Sequence, residues 1–527
     1  MFKRKFQWLR CGHTFTVADL VKDSRKPLMF VIPLLVCCLV IYGANSVRGT
    51  DQFWYLADVE TLIDGSPPVS NVFFPGTLLR GEVGPDRPNY IYHNGPMLYL
   101  SAMAGEYIGA YRAWILINLV CHFLVAFAVY LGARALTNNS IAFATAAFYL
   151  VSPLAVWQAM SMLLEQYLAG VMALVVIGFL YRKSIAGKGL FIFGVALGAV
   201  SHPMFTCIGL AAGILFTLVG AKRSNVYMVV AGLTGAIGTL YLGNAASDIF
   251  PTGFFPKLSI AIANVLPDRE SMYWYFTEHG YAIQLHVLMM KLVDGLYQQF
   301  FSLHQLPFNF FTNVALLVWV YLLVTKGRQY AGLLIASGIV LCLYLAQVVL
   351  MQHQVRYQHL VAPVVFIVIA LGVHSLPVVF RNRVVVAGAL LCVTGLSVYL
   401  SHMSHQKADH QRVAMAQQAA GLAFLKPDAN IVAYDCKCDQ KLSYILKPHP
   451  VLNIKSRYLS ESAHSRVLAL FKPDYFVSSR AALESTFSFL SPVKSVNDSL
   501  HGNLYWYAVD YRQREDSIRI TDVDSFM

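Results

Sequence analysis

Long apolar runs separated by short basic segments dominate this chain. Most of these runs are about as long as the roughly 17–25 residues that an α-helix needs to cross a membrane. Only 13% of the 527 residues are charged and 57% are hydrophobic, whereas a soluble domain carries roughly a quarter charged residues. The sequence therefore predicts a polytopic α-helical membrane protein and excludes one large soluble core.

Eleven membrane-spanning helices are predicted from these runs. They cover residues 27–46, 112–135, 140–157, 160–181, 189–201, 204–220, 226–246, 307–325, 331–350, 359–379 and 384–402. The apolar run 189–220 is divided at Ser201-His202-Pro203, because proline breaks a helix. Without this division, the basic segment at 221–225 would lie outside the membrane, against the preference for basic loops in the cytoplasm.

Basic residues set the orientation of the predicted bundle. The N-terminal segment carries seven Lys and Arg residues before the first span, which places it in the cytoplasm. Alternate short loops on that same side carry Arg134, Arg182, Lys183, Lys188, Lys222, Arg223, Lys326, Arg328, Arg381 and Arg383. We therefore expect a multi-pass protein of the cytoplasmic (inner) membrane, whose net charge of +12 reflects its loops and not binding to nucleic acid.

The odd number of spans leaves three large segments outside the cytoplasm. Two are loops, at residues 47–111 and 247–306, and the third begins at about residue 404. Residues 404–527 alternate short strand patterns with helical stretches, which is typical of a small α/β domain. The predicted strands are ANIVAYD, PVLNI, DYFVSS and NLYWYAV. We thus predict a membrane domain at 1–403 and an extracytoplasmic (periplasmic) α/β domain at 404–527. That domain lacks a glycine-rich phosphate loop after its first strand.

The stretch GTDQFWYLADVETLIDG opens the first outer loop at residues 49–65. Its apolar residues recur at helical spacing, which predicts an amphipathic helix on the outer membrane surface. Asp51 lies at the start of this helix, where an acid can cap backbone amides and complement the helix dipole. A structural and a chemical role both remain open for it. Asp58, Glu60 and Asp64 are interpreted as a solvated face of the helix.

Further polar residues lie where spans meet the outer face. Glu165 lies near the outer end of the fourth span, where an acid is costly and indicates a function. His93 precedes a Gly-Pro turn, and His202 lies at the break in the divided run. Arg356 and Tyr357 lie on a short outer loop, on the side that usually carries few cations. Each of these residues also has a structural explanation, as a helix-end, packing or solvated residue.

In their order and spacing, these residues resemble the GT-C superfamily of integral-membrane glycosyltransferases. The pattern is most similar to the branch that contains protein O-mannosyltransferases and the bacterial aminoarabinose transferases of lipid A. The similar motifs are an acid after the first span, a histidine turn before the next apolar segment, and Arg-Tyr ahead of a proline-containing span. They stand here as Asp51, His93-Asn94-Gly95-Pro96 and Arg356-Tyr357 with Pro363, within a resemblance that covers residues 27–400.

The resemblance implies transfer of a sugar from a polyprenyl-phosphate donor to an acceptor hydroxyl outside the membrane. The acceptor would be a protein, a lipid or a glycan. Asp51 is then expected to act as the general base on the acceptor hydroxyl, in a displacement that inverts the sugar. The departing lipid phosphate needs cations and hydrogen-bond donors, not an acid. We expect Arg356, supported by Tyr357, His202 and His93, to bind it.

Two further assignments follow from the same resemblance. Glu165 is expected to bind either sugar hydroxyls or a divalent cation (Mg²⁺ or Mn²⁺), and the sequence leaves both open. Tyr55, Tyr273, Trp274 and Tyr275 are expected to contact the acceptor or to lie at the membrane interface. The interfacial role is the simpler explanation for these aromatic residues.

Other classes of membrane protein compete with this interpretation. A flippase or transporter of lipid-linked sugars would show internal repeats and interrupted helices in both halves, but the sequence shows one interrupted segment. An O-antigen ligase or polymerase would also be an envelope transferase, acting on diphosphate-linked glycans. A sensor or scaffold would not require an acid at Glu165 or Asp51. We therefore favour the glycosyltransferase.

The predicted topology can be tested with reporter fusions. A phosphatase that is active only outside the cytoplasm should be active when fused after Met527 and inactive when fused after Lys222. Phosphatase activity after Lys222 and none after Met527 would contradict the eleven-span arrangement. Activity after Met527 of a reporter that works only in the cytoplasm would also contradict it.

Overall fold

The computed structural model describes residues 28–44, 50–65, 71–79, 95–222, 224–249, 285–302, 306–350, 355–375, 383–420, 422–436, 442, 444–447, 449–456, 459, 461–498 and 502–510. The predicted site residues His93, Tyr273, Trp274 and Tyr275 lie outside these ranges. The side chains of Asp51, Arg356 and Tyr357 are also outside the described part, although their backbone belongs to helices.

Helices make up most of the described chain. In chain order they are α1 (Leu28–Gly43), α2 (Thr50–Ile63), α3 (Pro75–Leu79), α4 (Pro96–Ile108), α5 (Ala110–Leu136), α6 (Asn139–Leu150), α7 (Pro153–Ala159), α8 (Glu165–Leu180), α9 (Ile185–Ser201), α10 (Pro203–Lys222), α11 (Val226–Ile249), α12 (Leu285–Phe300), α13 (Leu306–Leu350), α14 (Ala362–Ser375), α15 (Arg383–Ala420) and α16 (Glu461–Phe471). A 3₁₀ helix at Val355–Val361 precedes α14.

Every predicted span coincides with one of these helices, with a pair of them or, for spans 307–325 and 331–350, with one part of α13. Four described segments are long and apolar enough to cross a membrane alone: Ala110–Leu136, Phe308–Gly327, Gln358–Ser375 and Val384–Gln406. A fifth span results if α6 and α7, which meet at 54°, are taken together, and further apolar helices are shorter. The predicted break at Ser201–Pro203 is confirmed, because α9 ends at Ser201 and α10 begins at Pro203. Within α13, two helical stretches meet at a kink at Tyr330, where the backbone is not helical.

The described residues form two compact units. We call the first the helical unit; its described residues lie between 28 and 44, between 95 and 249, and between 285 and 405. We call the second the sheet unit; its described residues lie between 50 and 79 and between 406 and 510. Residues 50–79, predicted as part of a loop of the membrane domain, instead belong to the same unit as the C-terminal α/β domain.

Small residues allow the helices of the helical unit to approach closely. A Cβ atom on Gly178 of α8 would lie 2.5 Å from the backbone nitrogen of Phe191 in α9, so only glycine fits there. In an apolar environment, packing of this kind replaces the hydrophobic effect as the force between helices. The core that results is lined by buried aliphatic and aromatic side chains of α1, α5, α6, α8 and α14.

One mixed sheet organises the sheet unit. Its strands are β1 (Val72–Phe73), β2 (Ile431–Tyr434), β3 (Val451–Ile454), β4 (Tyr475–Ser478), β5 (Leu490–Asp498) and β6 (Gly502–Val509), in the spatial order β1-β3-β2-β4-β6-β5. The first four strands in that order run parallel to one another, and β6 pairs antiparallel with both β4 and β5. Strands β2, β3, β4 and β6 were predicted from the sequence, whereas β1 and β5 were not.

Both faces of the parallel part of the sheet are buried. On β2, Val432 and Tyr434 pack on one side and Ile431 and Ala433 on the other, as the alternation of side chains along a strand requires. Helix α16 covers the first face through Val467 and its neighbours. Strands buried on both faces read as continuous apolar runs, and this explains why "IVAY" and "YFVS" are recognisable in the sequence.

Strand β1 joins the first outer segment to the C-terminal domain. Val72 and Phe73 pair with Val451 and Leu452 of β3. The backbone nitrogen of Val451 donates a hydrogen bond to the carbonyl oxygen of Asn71 at 2.7 Å. The sheet unit is therefore assembled from two stretches that are far apart in the chain.

Candidate functional site

Asp51 lies in the first turn of α2, which begins at Thr50. The exposed amides at a helix N-terminus attract negative charge and favour an ionised carboxylate. The apolar side of the helix is covered by protein, because Phe53, Tyr55 and Val59 are buried.

Of the three acids predicted to form a solvated face, Asp64 is exposed and Glu60 is partly exposed, but the prediction is wrong for Asp58. Asp58 is only 8% exposed. Burial raises the pKa of the Asp58 carboxyl to about 8, and the positive charge of Lys447 opposes this shift. Glu60 accepts a hydrogen bond from the Tyr444 hydroxyl at 3.0 Å. The pattern of acids along the helix could not show that Tyr444 and Lys447 of the C-terminal domain contact Glu60.

Lys447 connects α2 to the C-terminal domain within the sheet unit. Its ammonium group donates hydrogen bonds to the carbonyl oxygen of Ala57 and, at 3.3 Å, to Thr61 Oγ1. It also lies 3.9 Å from Glu60 Oε2. Burial lowers the pKa of Lys447, and the nearby carboxylates oppose that shift. The helix that carries Asp51 is therefore fixed to the helical turn at residues 444–447.

Glu165 is the first residue of α8 and is buried in the helical unit. The irregular segment before it is held by side chains of α5. Asn118 Nδ2 donates to the carbonyl oxygen of Ser161 at 2.7 Å, and Trp114 Nε1 donates to that of Leu163 at 3.4 Å. These bonds satisfy carbonyl groups that no helix pairs, which an apolar environment requires.

The 3₁₀ helix that contains Arg356 and Tyr357 is tied to the start of α8. His359 Nε2 donates a hydrogen bond to Gln166 Oε1 at 2.9 Å, and both side chains are fully or almost fully buried. The structure thus brings the segment of Arg356 to the residue that follows Glu165.

His202 lies in the extended break between α9 and α10 and is half-buried. Gly95, from the His-Asn-Gly-Pro turn, packs against this break. A Cβ atom on Gly95 would lie 3.5 Å from both Cα and the carbonyl oxygen of Ser201. Gly95 and Ser201, which are about 100 residues apart in the sequence, therefore meet in the helical unit.

Several polar residues of these two environments were missed by the sequence analysis. In the helical unit they are His122, Tyr149, Gln166 and His359, all buried, and in the sheet unit they are Tyr444 and Lys447. Histidines inside apolar spans are costly, and this signal could have identified His122 and His359. Among the described residues, no group of three or more His, Cys, Asp or Glu side chains could hold a metal ion.

Two solved structures resemble this chain over most of its length. No protein-family model matches the sequence, and no curated protein matches it. The structure of ArnT from Cupriavidus metallidurans bound to undecaprenyl phosphate matches with a TM-score of 0.54 and 13% identity, over 92% of this chain and 98% of ArnT. The apo structure of that ArnT matches with a TM-score of 0.51 and 14% identity, over 91% of this chain and 97% of ArnT.

The chain shares the fold of these ArnT structures. The predicted fold class, a polytopic helical membrane protein with a C-terminal sheet region, is confirmed. A lower similarity, with a TM-score of 0.49 and 13% identity over 84% of this chain and 67% of the other, is found to an oligosaccharyltransferase of Archaeoglobus fulgidus. The GT-C fold does not by itself assign roles to Asp51, Arg356 or Glu165.

The burial of Asp58 predicts a pH dependence of stability. Asp58 ionises near pH 4 in an unfolded chain, but its pKa is about 8 in the folded protein. Between about pH 4 and about pH 8, the folded state therefore binds one proton more than the unfolded state. The free energy of unfolding falls as the pH rises through this range, and the loss is complete above about pH 8. Asp58→Asn carries no such proton. We expect the melting temperature of Asp58→Asn relative to wild type to be higher at about pH 8.5 than at about pH 5.

Asp64→Asn is the matched control, because Asp64 is exposed on the turn that follows the same helix. Thermal unfolding of the purified full-length proteins at both pH values measures the effect. A melting-temperature difference between Asp58→Asn and wild type that does not change with pH would contradict the burial of an ionisable Asp58.

Proposed function

We propose that this protein is a glycosyltransferase that moves a sugar from a polyprenyl-phosphate donor to an acceptor hydroxyl on the outer face of the cytoplasmic membrane. One observation carries the proposal. The fold of ArnT bound to undecaprenyl phosphate matches 92% of this chain, and the match includes both kinds of structure found here, apolar helices and a C-terminal sheet. A lipid-linked donor suits a protein of this class because its isoprenoid chain can lie among apolar helices.

Asp51 is the proposed general base. A base must be ionised at neutral pH to take a proton from the acceptor hydroxyl, and the first turn of α2 favours the ionised form. The other acids of this helix are less suited to the role. The pKa of Asp58 is about 8, so this residue is protonated at neutral pH. Glu60 is already engaged by Tyr444 and Lys447.

Arg356 is the proposed partner of the donor phosphate. As the sugar C1–O bond breaks, negative charge grows on the phosphate oxygens, and a guanidinium group can stabilise it with two hydrogen bonds. Tyr357, His202 and His93 would support this binding as further donors. Glu165 is proposed to bind the sugar hydroxyls or a divalent cation. The acceptor would be a protein, lipid or glycan.

The role of Asp51 can be tested in a strain that lacks the gene. Mass spectrometry of envelope glycans and proteins compares complementation by wild type, Asp51→Asn and the exposed control Asp64→Asn. Loss of a general base lowers the rate by about 10²–10⁴-fold, so Asp51→Asn should fail to restore the modification while Asp64→Asn restores it. Full restoration by Asp51→Asn, produced at wild-type levels, would overturn the assignment.

The role of Arg356 can be tested by lipid binding. Loss of a charge-assisted hydrogen bond costs about 1.5–3 kcal/mol, so Arg356→Gln should weaken binding of undecaprenyl phosphate by about 10–100-fold. Arg381→Gln, on the predicted cytoplasmic side, serves as the control. Native mass spectrometry of the purified full-length proteins measures the bound fraction. Equal binding by Arg356→Gln and wild type would exclude Arg356 from the phosphate site.

A further inference from the structure

We propose that Gln166 and His359 form a positioning pair that holds the segment of Arg356 and Tyr357 in the geometry required for binding the donor phosphate. This inference rests on the proposed function, since it assumes that Arg356 contacts the lipid phosphate. Neither Gln166 nor His359 would touch the substrate. Their role would be to place the 3₁₀ helix relative to the start of α8.

The contact between the two side chains is direct and shielded from solvent. His359 Nε2 lies 2.9 Å from Gln166 Oε1, and the residues are 1% and 0% exposed, respectively. The Tyr149 hydroxyl lies 3.4 Å from His359 Nε2 and 3.4 Å from Gln166 Nε2. Hydrogen bonds in such a dry environment are stronger and more directional than bonds at a surface.

The segment that contains Arg356 needs support from outside itself. Residues 355–361 form a 3₁₀ helix, and this type of helix has weaker hydrogen-bond geometry than an α-helix. Its second half is anchored at every residue. Gln358 Nε2 donates to Asn309 Oδ1 of α13, His359 bonds to Gln166, and Leu360 and Val361 are buried. These contacts fix the chain immediately after Tyr357.

The register of the helix links the anchor to Arg356. In a 3₁₀ helix, positions i and i+3 lie on one face, so positions 356 and 359 share a face. Residue 359 on that face contacts Gln166, which follows Glu165 at the start of α8. A shift of His359 would therefore move the backbone at Arg356 relative to Glu165.

The polar character of Gln166 and His359 indicates that the pair positions the 3₁₀ helix relative to α8. Burying an amide and an imidazole costs free energy unless they are paired, and apolar side chains of similar size would fill the same space. A hydrogen bond adds direction, which packing of aliphatic groups does not. Such pairs can fix one arrangement among several that pack equally well.

The experiment measures affinity for undecaprenyl phosphate and for undecaprenol, which lacks the phosphate, in purified full-length protein. Gln166→Leu removes the bond from His359. Loss of a hydrogen bond of this kind corresponds to about a 3–10-fold effect. We expect Gln166→Leu to weaken undecaprenyl phosphate binding by about that factor and to leave undecaprenol binding unchanged. The exchange variant Gln166→His/His359→Gln restores the pair and should return affinity to within about threefold of wild type.

Ser397→Ala is the matched control, because Ser397 Oγ of α15 donates a buried hydrogen bond to the carbonyl oxygen of Val151 at 2.6 Å. It should lower the melting temperature and leave the lipid preference unchanged. If Gln166→Leu behaves like Ser397→Ala, the pair serves stability alone and the inference is wrong. If Gln166→Leu does not fold, the exchange variant Gln166→His/His359→Gln tests the inference. An exchange variant that folds but no longer binds undecaprenyl phosphate better than undecaprenol would overturn the inference.

Failure of the proposed function gives a different result. Wild-type protein would then bind undecaprenyl phosphate no better than undecaprenol, and both proposals would fall together. Wild-type preference for the phosphate that persists in Gln166→Leu would overturn only the positioning role.

Discussion

Backbone polar groups that are removed from water must find partners within the protein, and the helical unit depends on this constraint. An unpaired amide or carbonyl in an apolar environment costs several kcal/mol, so nearly all described residues of this unit are helical. The exceptions are informative. The segment before Glu165, the break at His202 and the 3₁₀ helix at Val355–Val361 are irregular, and each is held by a side chain or by close packing. Glu165 and His202, together with the backbone of Arg356 and Tyr357, lie at these irregular segments.

The sheet unit obeys a second constraint, which is burial of both faces of a parallel sheet. Strand β1 and helix α2 come from the first outer segment and are part of this unit together with the C-terminal domain. The C-terminal domain is therefore not an appendage to the chain. Its residues Tyr444 and Lys447 donate hydrogen bonds to Glu60 and Ala57 of α2, the helix on which Asp51 lies. A movement of the turn at residues 444–447 would therefore move this helix.

Much of the fold could be predicted because its signals are local. Apolar runs of spanning length, the proline at position 203 and the doubly buried strands each leave a pattern in consecutive residues. The two-residue strand β1 leaves no such pattern, because it exists only through pairing with Val451 and Leu452. Helix α2 shows the same limit. Its periodicity predicted a helix correctly, but periodicity does not reveal that Tyr444 and Lys447 cover the side that carries acids.

The sequence by itself determined the membrane class, the positions of the helices, the interrupted helix at His202 and the resemblance to GT-C enzymes. These properties depend on hydropathy, on charge and on residue order, all of which can be counted along the chain. Only the tertiary structure decided that the first outer segment joins the C-terminal sheet, that Asp58 is buried, and that Gln166 meets His359. These contacts connect residues that are up to about 390 positions apart, and their energies depend on burial and distance, which residue order alone does not contain.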